Sequence, residues 1–223
     1  MKKIVWIIAM VVFSVATMYG QDDFFTNVTV GKNFKKEQWT YTTSGIWKHI
    51  YDEVGWSRIG VNGGANYAYK NWTLLTGFTA QYTFDKEIVN SVELRPWVGV
   101  RLRTDIIEGL NIEQEVHVEW RNFLYHDAPD ENYIRTTFDV GANYNLKEIN
   151  LDSWAVQSGY VWYFLKDPAL GERYADSREF RFLVSKTFTA GKLTVGYKRE
   201  KFKILPDRPP AKAHTLDIMY VFN

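Results

Sequence analysis

The stretch from Val92 to Tyr125 constrains the fold more than any other part of the chain. It reads VELRPWVGVRLRT, then DIIEG, then LNIEQEVHVEWRNFLY. Both arms alternate with period two, the spacing of a strand whose faces differ. In the first arm Val92, Leu94, Val98, Val100 and Leu102 share one face, and Glu93, Arg95, Arg101 and Arg103 the other. In the second, Leu110, Ile112, Val116, Val118 and Trp120 oppose Glu113, Glu115, His117, Glu119 and Arg121. Strands this apolar on one face and this charged on the other suit a transmembrane barrel, with lipid outside and a polar lumen inside. Pairing about a centre near Ile107 sets Arg101 opposite Glu113, Arg95 opposite Glu119 and Glu93 opposite Arg121. A slip of two would set Arg95 against Arg121, a like-charge contact. The predicted register is therefore the first.

The same alternation recurs along the chain. Strands are expected over 38–50, 56–69, 72–84, 133–146, 151–165, 178–188 and 193–200, with a last one carrying Leu216, Ile218, Tyr220 and Phe222 to the end. With the central hairpin this makes ten. The segment 24–34 is a weaker pattern, read as a short extension on the inner side. Connections alternate between short turns and longer loops, as in outer-membrane barrels. The predicted fold is an all-β, closed antiparallel transmembrane barrel of about ten strands, with twelve as the alternative. Both termini of a ten-stranded barrel would lie on the short-turn side. Aromatics near strand ends (Tyr69, Trp72, Tyr144, Trp154, Phe188 and Tyr220 by the turns; Phe84, Trp120, Trp162, Phe164 and Phe180 by the loops) suit interfacial girdles.

Residues 1–20 read as a signal peptide: Lys2 and Lys3, an apolar run from Ile4 to Val15, then small residues. Residues 21–223 then form one barrel domain, exported to a bacterial outer membrane. A net charge of +1 offers nothing to nucleic acid. With no cysteine there are no disulfides and no thiolate metal sites. No phosphate-binding loop, zinc helix or nucleophile elbow occurs in the sequence.

Glu93-x-Arg95-Pro96-Trp97, Glu115-x-His117-x-Glu119-x-Arg121 and the Trp-led hairpin Lys70-Asn71-Trp72 resemble the domain-of-unknown-function family 2490. These are uncharacterised outer-membrane β-barrels of Bacteroidota. The resemblance covers nearly all of the mature chain. It implies an outer-membrane barrel and carries over no functional residue. His117 departs from the basic or polar residue expected there.

The candidate site is a lumen charge network of Glu93, Arg95, Arg101, Arg103, Glu113, Glu115, His117, Glu119, Arg121, Asp139, Glu179 and Arg181. One reading is a packed ionic plug, since barrels of about eight strands are filled by their side chains. Another is a narrow solute pore, with Gly63, Gly64, Gly77, Gly99, Gly141, Gly159 and Gly196 leaving space inside. A third is a hydrolase at the loop-side rim, built from His49, Asp52, His126, Asp127 and His214, where closure would make His49 and His214 neighbours. A soluble periplasmic lipid-binding barrel is the remaining alternative, and it requires the inverse orientation. Glu115, His117 and Glu119 have metal-like spacing and are read as a charge ladder. No enzyme activity, cofactor or metal is expected. Expected partners are outer-membrane lipid, an unknown small solute or ion, and the barrel-assembly machinery engaging the C-terminal strand of a monomer.

Overall fold

A computed structural model describes residues 23–51, 57–84, 90–126, 128–165, 178–202 and 211–223. The predicted signal peptide, Asp52 and Asp127 lie outside the described residues. Eleven strands close into one barrel. They are β1 (Asp23–Lys36), β2 (Trp39–Ile50), β3 (Ser57–Tyr69), β4 (Trp72–Phe84), β5 (Ser91–Ile107), β6 (Leu110–Tyr125), β7 (Glu131–Asn145), β8 (Trp154–Leu165), β9 (Arg178–Phe188), β10 (Gly191–Phe202) and β11 (Ala211–Phe222).

The expectation of ten strands, with 24–34 as an extension, is corrected here. β1 pairs along its length with β2 and closes the barrel against β11. Its pattern is weak in sequence because the inward residues Asn27, Thr29, Gly31 and Asn33 are neutral and the outward set mixes Val28 and Val30 with Thr26 and Lys32. An odd number of strands cannot alternate in direction all the way round. The mismatch falls at β1–β11, where Thr29 lies beside Met219 in a parallel pair, and every other neighbour is antiparallel. Consequently β1 starts at the long-loop end, while β11 finishes at the short-turn end.

The two faces separate as the alternation requires. Val98 (59% exposed), Val116 (46%) and Leu74 (56%) point outward, whereas Glu93 and Arg121 are 1% exposed and face the lumen. That orientation rules out the soluble lipid-binding barrel, which needs its apolar side chains inside. Aromatics crowd the outer ends. Trp39 packs on Tyr67 by the turns, and Trp47, His49, Tyr51 and Phe24 form a chain of ring contacts by the loops.

The central hairpin also departs from the predicted register. Arg101 pairs with Glu115 and Arg103 with Glu113, a slip of two residues. The turn sits at Glu108–Gly109, where Gly109 takes φ +78°, a conformation in which a Cβ is strained. Between Asp105 and Ile107 the register shifts by one, a bulge at the exposed tip. Arg95 is thereby brought towards Arg121, the contact that the charge rule disfavours, and the ladder skips Arg95 and Pro96. The clash is resolved by Glu93, whose Oε1 accepts from Arg121 Nε at 2.6 Å and from Arg95 Nε at 2.8 Å. Two guanidiniums share one buried carboxylate instead of each facing its own.

Candidate functional site: a charged layer across the lumen wall

The site is built on β3 to β7, whose odd or even residues all turn inward together. Glu93 is its lowest-exposure carboxylate. Arg58 on β3 approaches it at 3.9 Å and donates Nε to Thr83 at 2.9 Å. Arg95 also reaches Glu119, at 3.8 Å. Glu119 accepts from Arg135, with Nε at 2.7 Å and an ion-pair distance of 2.6 Å, and lies 3.0 Å from His117 Nε2. His117 Nδ1 lies 3.1 Å from Glu115, which accepts from Arg101 at 2.7 Å. The chain of contacts therefore runs unbroken from Arg58 to Arg101. Only the imidazolium form of His117 donates from both ring nitrogens. Both nitrogens are spent on carboxylates, so Glu115, His117 and Glu119 form a charge ladder. Among the described residues no group of three has the makings of a metal site.

Most of the predicted network is thus brought together, and part is not. Glu113 sits at the edge, 4.0 Å from Arg101. Arg103 pairs with Asp105 at 3.0 Å in an exposed contact near the turn. Asp139 and Arg181 make a separate pair at 2.7 Å, and Glu179 accepts from Tyr163 at 3.4 Å. Sequence reasoning omitted Arg58, Arg135 and the contacts of Asp217 with Lys198 (2.9 Å) and Asn27. Parity would have found each of them, since Arg58 shares a face with Gly60 and Asn62, and Asp217 lies between the outward Leu216 and Ile218.

Apart from Gly141, where a Cβ would meet its neighbours at 3.5 Å or more, the lumen glycines do not leave space. A Cβ on Gly77 would come 2.3 Å from the Trp97 ring, one on Gly159 2.9 Å from Arg181, one on Gly99 2.6 Å from His117, and one on Gly196 2.2 Å from Leu183. They are seats for larger neighbours. Gly63 faces outward. Towards the loops, the inward residues Phe25, Ile50, Phe123 and Tyr133 are buried and apolar or aromatic. Arg121 stacks on both Phe123 and Tyr133, with its guanidinium 4.9 and 5.2 Å from the ring centres. Towards the turns, inward Thr40, Thr42, Asn66, Thr73 and Asn143 are half-exposed, and a cleft of about 580 Å³ opens beside Arg103, Asn111 and Asn143. Inward side chains are on the whole more exposed towards the turns than towards the loops.

Of the proposed rim residues, the described ones, His49, His126 and His214, are placed apart. His49 faces outward against Trp47 and Tyr51, and β1 lies between its strand and that of His214. His214 is buried beside Tyr197, and His126 is exposed at the end of β6.

A closed ring of strands, apolar outside and ionic within, defines a membrane-spanning β-barrel. No protein-family model and no curated protein matches the chain. Solved structures similar to it include the NanC porin in a rhombohedral crystal form, at 13% identity and TM-score 0.43, covering 83% of this chain and 93% of that one. An anion-selective porin from Comamonas acidovorans is similar at 14% identity and TM-score 0.35, covering 83% of this chain and 55% of that one.

Proposed function

We propose that the protein is an outer-membrane barrel providing a narrow transport path for small solutes, and that its resting state is closed at the ionic layer. On this reading residues 1–20 are the export signal and the mature chain works as a monomer. One observation carries the proposal: Glu93 and Arg121 face the lumen yet are 1% exposed, while inward residues nearer the turns stand half-open to solvent. An always-open aqueous channel leaves such charges wet, and wide channels are built from about sixteen strands. Charged layers set which solutes pass a narrow one.

The test is conductance in a planar bilayer. The wild-type protein is expected to be closed most of the time with small, brief openings, and Glu93→Gln to open more often. Steady large-pore conductance in the wild type would refute the closed resting state. Silence in both proteins would leave the lumen a structural plug and end the transport reading.

A further inference from the structure

Among the described residues, Trp97 is the one tryptophan that faces the lumen. Trp39, Trp47, Trp72 and Trp120 are exposed on the outside, and Trp154 and Trp162 share the outward parity of Val156 and Phe164. An inward indole in a polar lumen needs a seat, and the fold supplies one. Along one hydrogen-bonded row the inward residues run Asn33, Thr42, Gly64, Gly77, Trp97, Glu119, Arg135. The two glycines lower the wall beside Trp97. A Cβ on Gly77 would lie 2.3 Å from its Cζ2, and one on Gly64 3.5 Å from the same atom. The ring therefore lies down over β3 and β4 and remains partly exposed.

The surroundings define what such a ring would hold. Its pairing partner is the carboxylate Glu119, with His117 6.1 Å away centre to centre and Glu115 beyond it on the far side of the imidazole. Those charges are already matched by Arg101, His117 and Arg135, so a free ion gains little there. Polar capacity is nevertheless left over. On the two strands that seat the indole, Asn62 accepts from Thr79 through its amide oxygen, which leaves its NH2 donors. Towards the turns Thr40, Thr42, Asn66, Thr73 and Asn143 add amides and hydroxyls to the charges of Arg103 and Glu113.

From this combination we infer that Trp97 is the platform of a binding site for a neutral sugar ring. This deepens the transport reading and rests on it. The C–H face of a pyranose presents weakly positive hydrogens to the negative face of an indole. Its hydroxyls both donate and accept, so they can add to carboxylates and amides that are already partnered. A few fixed polar groups around an apolar platform are the usual composition of a small-molecule site.

Maltose is a suitable probe, with the full-length protein held in a zwitterionic detergent that carries no sugar headgroup. Binding is read by saturation-transfer NMR and titration calorimetry. The wild type is expected to bind, Trp97→Ala to bind about tenfold more weakly, and Trp97→Phe to stay within about threefold. Gly77→Ala keeps the indole but displaces it, and weakens binding as well. Heat-dependent gel mobility confirms that each variant is a folded barrel. Absence of maltose binding in the wild type, or equal binding by Trp97→Ala, overturns the site. Binding in detergent needs no conduction. A protein that binds maltose but never conducts therefore fails the transport reading, and one that conducts but does not bind fails the sugar site.

Discussion

Replacing Glu93 by Gln keeps the shape of the side chain and removes one negative charge from a place with almost no water. The carboxylate serves Arg121 at 2.6 Å, Arg95 at 2.8 Å and Arg58 at 3.9 Å, and both it and Arg121 are 1% exposed. Removing one partner of a buried pair strands the other charge and typically costs about 3–5 kcal/mol. Here the stranded groups include Arg95 and Arg121, which the register has already brought together. The expected loss is thus at the upper part of that range, a large share of the roughly 5–15 kcal/mol that holds a domain folded. Asp105→Asn provides the contrast. Its pair with Arg103 is 73% and 55% exposed, and such pairs are worth about 0–1 kcal/mol. Reversible urea unfolding in lipid bilayers, followed by tryptophan fluorescence, measures both. A double-mutant cycle of Glu93→Gln with Arg121→Gln then isolates the coupling, expected at about 0.5–3 kcal/mol. If Glu93→Gln costs no more than Asp105→Asn, the buried ionic layer does not hold the barrel as argued.

Two further outcomes test the frame around that layer. Val116→Arg puts a charge on the lipid face of β6 and is expected to cost about 2–4 kcal/mol if it lies near the midplane, measured by the same unfolding; a neutral effect would place that face away from lipid. The chain has no cysteine, so introduced pairs report cleanly. Arg101→Cys with Glu115→Cys should cross-link, Arg101→Cys with Glu113→Cys should not, and Thr29→Cys with Met219→Cys should cross-link if β1 closes the barrel on β11.

Alternation by itself determined that this chain is made of strands and which residues of each share a face, while the exposures of Val98 and Glu93 in the folded barrel decided that the ionic face turns inward. Period two carries the sharing of faces directly. It is blind to a slip of two, because every side chain then stays on its own face. The Glu93–Arg121 contact was foreseen on the right face and found in a different register for this reason. The turn at Gly109 and the bulge before it chose the register, and a shared carboxylate made the apparent charge clash tolerable. Strand number was likewise left to tertiary structure. β1 has a diluted pattern, and only pairing with both β2 and β11 makes it part of the wall. That insertion separated His49 from His214 and moved the start of β1 to the loop end. Nor does the sequence say which glycines make holes and which make seats. Gly64 and Gly77 are spaced no differently from many strand glycines, and they acquire meaning only where three strands in register lay Trp97 across them.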